Sequence, residues 1–133
     1  MAFHELGRVG ESQVFRVEPG IYLVRLAGRL TRAVSDALTA LVASDDKGDR
    51  RCVLYEVSAA FGGYDPELRK LSNQSLLKSG TAHIGIITTN SLLRMVAATV
   101  ALALRATSGI HMKTYDSVEA AVADARNVMA RPR

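Results

Sequence analysis

The stretch from Arg51 to Val57 is a nearly continuous apolar run, Cys52-Val53-Leu54-Tyr55 at its centre, with a helix-like pattern before it and a helix start after it. A strand with apolar residues on both faces is stable only when both faces are covered, which is the condition of an inner strand in an α/β sheet. Ile84-Gly85-Ile86-Ile87 repeats the signature. Two such runs separated by helical periodicity confine the chain to a sheet flanked by helices, because parallel neighbours need crossover connections.

The remaining elements follow from turn residues and apolar spacing. Gln13 to Glu18 and Ile21 to Ala27 are β-branched and aromatic runs joined at Pro19-Gly20, an opening hairpin. Thr31 is placed to cap a helix whose Val34, Leu38, Leu41 and Val42 repeat at helical spacing, and the polar run from Asp45 to Asp49 ends it. After the central strand, Ser58 to Tyr64 reads as a loop, and Asp65-Pro66-Glu67 as a helix start: a capping Asp, a proline suited to the first turn and an acid at the positive end of the dipole. That helix is expected to reach about Ser79. Thr88-Thr89-Asn90-Ser91 caps an apolar helix to Thr107, Ile110 to Tyr115 is the last strand, and Asp116 or Ser117 caps a final amphipathic helix.

The order is β-β-α-β-α-β-α-β-α: an α/β fold with a mixed, mostly parallel sheet flanked by helices, the first strand adding antiparallel at an edge. A chain of 133 residues has the size of one domain, so residues 1–133 are expected to form a single unit with its core over about 13–128 and frayed tails at 1–10 and 130–133.

Composition narrows the function classes. The single cysteine, Cys52, has no partner for a disulfide and no companion for a zinc cluster, which points to a reducing, cytoplasmic setting. The formal charge of +4 is dispersed over strands, turns and helices, not gathered on one face, so nucleic acid is not expected as a partner. Leu92 to Leu104 is almost wholly apolar, yet at about 13 residues it falls short of the about 20 that a spanning helix needs. No membrane span is expected.

This order, together with Cys52-Val53-Leu54-Tyr55-Glu56-Val57-Ser58 followed by Asp65-Pro66-Glu67-Leu68, resembles the STAS domain, the anti-sigma-factor-antagonist type. Glu56 stands where members of that family commonly carry Asp, and Asp65 matches the family's Asp at the start of the second helix. Pro66 stands where the family's regulatory kinases phosphorylate a serine. Proline has no hydroxyl, so the chain is similar to the divergent branch that lacks the phosphoserine, one sometimes described as lipid-binding-like. The resemblance implies a non-enzymatic signalling domain with a protein partner, and no cofactor.

No catalytic or metal motif competes with that expectation. His4, His83 and His111 form no helical metal pair; His83 and His111 fall on strands that can be neighbours, and both are expected in structural or solvent-facing roles. Nucleophile elbow and phosphate-binding loop are both missing. A response-regulator-type acceptor would need acids where the Ile21 to Ala27 strand ends in Ala27-Gly28.

Three candidate surfaces remain. Phe61 and Tyr64, with Asp65 and Glu67, form the candidate partner-binding site, Phe61 being either exposed or folded back over the core. Ser58, Thr88, Asn90 and Ser91, at strand C-terminal ends, form a candidate ligand or anion site, although helix capping accounts for the same groups. Leu92, Met95, Val96 and Thr99 form a candidate homodimer face, unless the helix is buried within one chain. Two functions follow: a STAS-type interaction domain, or a small-ligand or lipid-binding module with a pocket near residues 58–65 and the apolar helix 92–104.

Overall fold

A computed structural model describes residues 3–45, 50–64, 81–91, 93–95 and 110–131. Its strands are β1 (His4–Val9), β2 (Ser12–Glu18), β3 (Ile21–Leu30), β4 (Arg51–Tyr64), β5 (Thr81–Ile87) and β6 (His111–Tyr115). Among the described residues two helices have full bounds, α1 (Arg32–Asp45) between β3 and β4 and α2 (Val118–Ala130) after β6. All six strands lie in one sheet in chain order, with β1, β2 and β3 antiparallel and β3 to β6 parallel. The mixed, mostly parallel α/β architecture is therefore observed.

Two local expectations are corrected. Residues 4–9, read as a frayed tail, form β1, which pairs with β2 from His4↔Arg16 to Val9↔Ser12, so β2 is an inner strand and β1 the edge. Ser58 to Tyr64, read as a loop, continues β4 along β3, with Gly28 opposite Phe61 and Leu30 opposite Tyr64. Over that stretch β4 advances from Val57 to Tyr64 while β3 advances only from Leu26 to Leu30, so the surplus is taken up in register shifts. The hairpin at Pro19-Gly20 matches expectation: Gly20 has φ +86°, a conformation that side chains other than glycine's disfavour.

The period of two along each strand sorts side chains to two faces. On one face Val14, Tyr22, Val24 and Val53 meet Leu38 and Val42 of α1. On the other, Ile21, Leu23, Cys52 and Leu54 meet Ala121, Val122, Ala125 and Val128 of α2. The small alanines of α2 let it sit close to the sheet. Both helices start at hydroxyl caps: Thr31 Oγ1 accepts from Val34 N at 3.2 Å and Ser117 Oγ from Ala120 N at 3.1 Å. At the far end of α1, Asp45 accepts from Tyr22 Oη at 2.8 Å and Arg16 at 2.6 Å. The tyrosine bond, ahead of the arginine's contribution, holds its carboxyl below the usual range against the cost of burial.

Candidate functional site

The face of the sheet under α2 is apolar at its centre and polar at one side. In register, Cys52, His83 and His111 stand side by side on β4, β5 and β6. His83 is fully buried and His111 is exposed. Their Nδ1 atoms are 2.9 Å apart and their rings stack at 21°. On the opposite side of its ring, His83 Nε2 lies 3.0 Å from Tyr115 Oη, and Tyr115 Oη donates to Asp124 Oδ2 of α2 at 2.5 Å. A continuous hydrogen-bonded chain thus runs from a surface imidazole through a buried one to a carboxylate.

Gly85 makes this chain possible. It lies between His83 and Ile87 on the α2 face, and the Tyr115 ring passes over it toward His83. A Cβ at Gly85 would sit 2.6 Å from Leu54 Cδ2 and 3.0 Å from Tyr115 Cε2. Only a bare backbone leaves room for the ring.

The charges along the chain can be assigned. Asp124 is held below the usual carboxylate range, first by the Tyr115 hydrogen bond and then, against burial, by Lys113. The Lys113 ammonium is 3.9 Å from its Oδ2. Burial, then the bond to Asp124, pushes the Tyr115 phenol far up, so it remains a donor. Burial, then His111, lowers His83 to about 4, so it is neutral at physiological pH. An ionised carboxylate can only accept, which commits the Tyr115 proton to Asp124. Tyr115 oxygen then accepts from His83 Nε2–H, and neutral His83 offers a bare Nδ1. His111 must carry its proton on Nδ1.

The residues singled out from sequence are placed as follows. Phe61 is half-buried and packs against the α1-side core. Ser58 Oγ donates to Leu26 O at 2.7 Å and accepts from Ala60 N at 3.2 Å. Thr88 is buried, its Oγ1 accepting from Asn90 N at 3.1 Å, while Asn90 Oδ1 accepts from Leu93 N at 3.1 Å as a helix cap. Ser91 is exposed. Met95 is 69% exposed. Asp65, Pro66, Glu67, Val96 and Thr99, the Leu92 side chain, and most of the two helices expected after Tyr64 and Asn90 lie outside the described residues. The chain from His111 to Asp124 brings together residues of which sequence reading paired only the histidines. Its available signal was a charged residue, Asp124, beside the buried stripe Ala121-Ala125-Val128.

No protein-family model matches the chain, and no curated protein matches it. Among solved structures, it is similar to the crystal structure of an uncharacterized protein of the DUF3478 family with a SpoIIAA-like fold, from Shewanella loihica PV-4. The two share 14% identity over 93% of this chain and 92% of that one, with a TM-score of 0.61. The chain has a SpoIIAA-like fold, which is the STAS fold. In this STAS fold Glu56, the acid expected near the end of the central strand, pairs with Arg25 at 2.6 Å and closes the paired stretch of β4 and β5. No described helix is long and apolar enough to cross a membrane.

Proposed function

We propose that the chain is a cytoplasmic, non-enzymatic regulatory domain of STAS type that binds a protein partner along the extension of β4. The observation that carries this reading is that β4 outruns its neighbour. The last β4–β5 pair is Glu56↔Ile87, yet β4 continues to Tyr64, held from one side by β3. Among the described residues the other edge of 57–64 has no strand partner. Ala59, Ala60 and Gly62 are exposed there, without the lysine or proline that guards many free edges. An extended segment of a partner can add to such an edge by main-chain hydrogen bonds, and Phe61, packed on the α1-side core, anchors the platform. Exposed Met95 at the start of the third expected helix supports self-association as part of the same proposal.

Two further features favour binding over catalysis. The hydroxyl and thiol under α2 are deactivated: burial pushes the Cys52 thiol up to about 11 and also raises Tyr115. The Ser58 and Thr88 hydroxyls at the strand ends are occupied in turns. Among the described residues, a cavity bounded by Val24, Leu38, Val42, Val53 and Tyr55 measures about 10 Å³, room for one water.

The test is Ala59→Lys with Ala60→Lys. Capture of a partner should be lost while the thermal midpoint stays within a few degrees, since both sites are exposed. Undiminished capture would remove β4 from the interface. Native mass spectrometry of the freshly purified protein tests the class: a lipid-sized adduct retained on a monomer would overturn the reading.

A further inference from the structure

The chain of hydrogen bonds behind His111 has a chemical consequence at the surface. With Nδ1–H donated to His83, the lone pair of His111 is on Nε2, and no described residue hydrogen-bonds to that atom. The ring is exposed and stands on β6, the last strand of the sheet, where a bulky reagent can reach it. Behind it, the carboxylate of Asp124 is connected through Tyr115 and His83. An imidazole whose N–H is directed along a fixed chain to a carboxylate is the arrangement that makes the opposite nitrogen an oriented base or nucleophile and steadies positive charge on the ring.

The surroundings choose the electrophile. Lys113 lies two residues along the same face, with its side chain 58% exposed, and Lys113 and Arg131 both act electrostatically on His83 and Asp124. Arg50, which donates to the carbonyls of Val128 and Arg131, adds a third cation at that end of α2. Such a setting repels a divalent cation, and no group of three or more metal-ligating side chains exists among the described residues. It attracts the oxygens of a phosphoryl group.

We propose that His111 Nε2 is a phosphoryl acceptor, charged by a donor that carries its phosphoryl group on nitrogen. The lone pair of Nε2 forms the new N–P bond as the donor's N–P bond breaks, its electron pair leaving with the donor nitrogen. With phosphoramidate in its zwitterionic form that nitrogen is already protonated and leaves as ammonia, so no proton is required from the protein. The ring becomes cationic, with its proton still on Nδ1 and hydrogen-bonded to His83. The chain to Asp124 opposes that new charge. His83, Tyr115 and Asp124 are positioning residues, and His111 alone forms a bond. This assignment is independent of the β4 interface.

The experiment is incubation of the full chain with potassium phosphoramidate at neutral pH, followed by intact mass and peptide mapping. His4, exposed on β1, is an internal control in the same molecule. One acid-labile phosphoryl group is expected on His111, formed on the order of tenfold faster than on His4, and located on Nε2 by phosphorus and proton NMR. In Asp124→Asn, whose amide can either accept from Tyr115 through its oxygen or donate to it through its nitrogen, the His111 rate should fall toward that of His4, and ¹⁵N shifts should show mixed His111 tautomers. Equal rates at His4 and His111 in the native protein, a phosphoryl group on Nδ1, or an undiminished rate in a folded Asp124→Asn would each overturn the proposal. The comparison of the two histidines needs no variant, so it stands even where the substitution unfolds the chain.

Discussion

His83 shows how much a single buried side chain dictates. It is fully buried with both ring nitrogens engaged, one toward His111 and one toward Tyr115. Its folded-state value of about 4 lies below the ordinary value of 6.5. A depressed histidine costs nothing above the unfolded value, where it is neutral in both states. Between pH 6.5 and about 4 the unfolded chain binds the proton first, so stability falls, by about 3 kcal/mol in all at the exchange rate of 1.36 kcal/mol per pH unit. A second proton on His83 would also place two N–H groups face to face with His111. Urea midpoints measured from pH 7 to pH 4 should decline steeply in the native protein and more gently in His83→Gln, after allowing for carboxylate titration. Parallel curves would mean that His83 is not held neutral. Gly85→Ala attacks the same chain from beneath. The Cβ would collide with Leu54 and Tyr115, so a loss of about 1–3 kcal/mol is expected, along with a shift of the Tyr115 resonances.

At the scale of elements, most of the architecture was legible in the chain and two pieces were not. Strands β2, β3, β5 and β6 were readable as β-branched and apolar runs bounded by turn residues, and both described helices as apolar residues at helical spacing. Strand β1 was missed because His4-Glu5-Leu6-Gly7-Arg8-Val9 carries no apolar run: as an edge strand it buries only parts of Leu6 and Val9, and its hydrogen bonds to β2 are made by the backbone. The end of β4 was missed for a related reason. Ala59-Ala60-Phe61-Gly62-Gly63 has loop composition, and it is extended because β3 continues beside it, not because its residues prefer strand. The polar chain under α2 was hidden more deeply. Asp124 and His83 are far apart in sequence, and only packing of α2 across β5 and β6 brings them together. The capping hydroxyls, by contrast, were readable and make a local prediction: Ser117→Ala removes the acceptor for Ala120 N and should cost about 1 kcal/mol, read from thermal melts.

For the molecule as a whole, the decisive fact is that β3 and β4 are buried on both faces, with α1 on one side and α2 on the other. Neither layer can leave without exposing the strands that support the other, so the described core should open as one cooperative unit. Cys52 reports on this directly. It is 0% exposed near the start of β4, in the cluster that includes Ile21, Leu54, Ala121 and Val122. Its thiol is also pushed up to about 11 by burial, which depletes the reactive thiolate. Reaction with a maleimide therefore requires opening of the α2 layer over the sheet. At neutral pH in native buffer, labelling should be slower than in denaturant by roughly a thousandfold or more, the factor expected when reaction needs global opening of a small domain. Low urea should accelerate labelling with the same sensitivity as equilibrium unfolding. Cooperative opening makes that coincidence necessary: if α2 could lift away alone, Cys52 would be exposed while β1, β2 and α1 stayed folded, and the labelling rate would depend only weakly on urea. A shallow dependence would divide the molecule into two independently opening layers, and the relay from His111 to Asp124 would then belong to the less stable one.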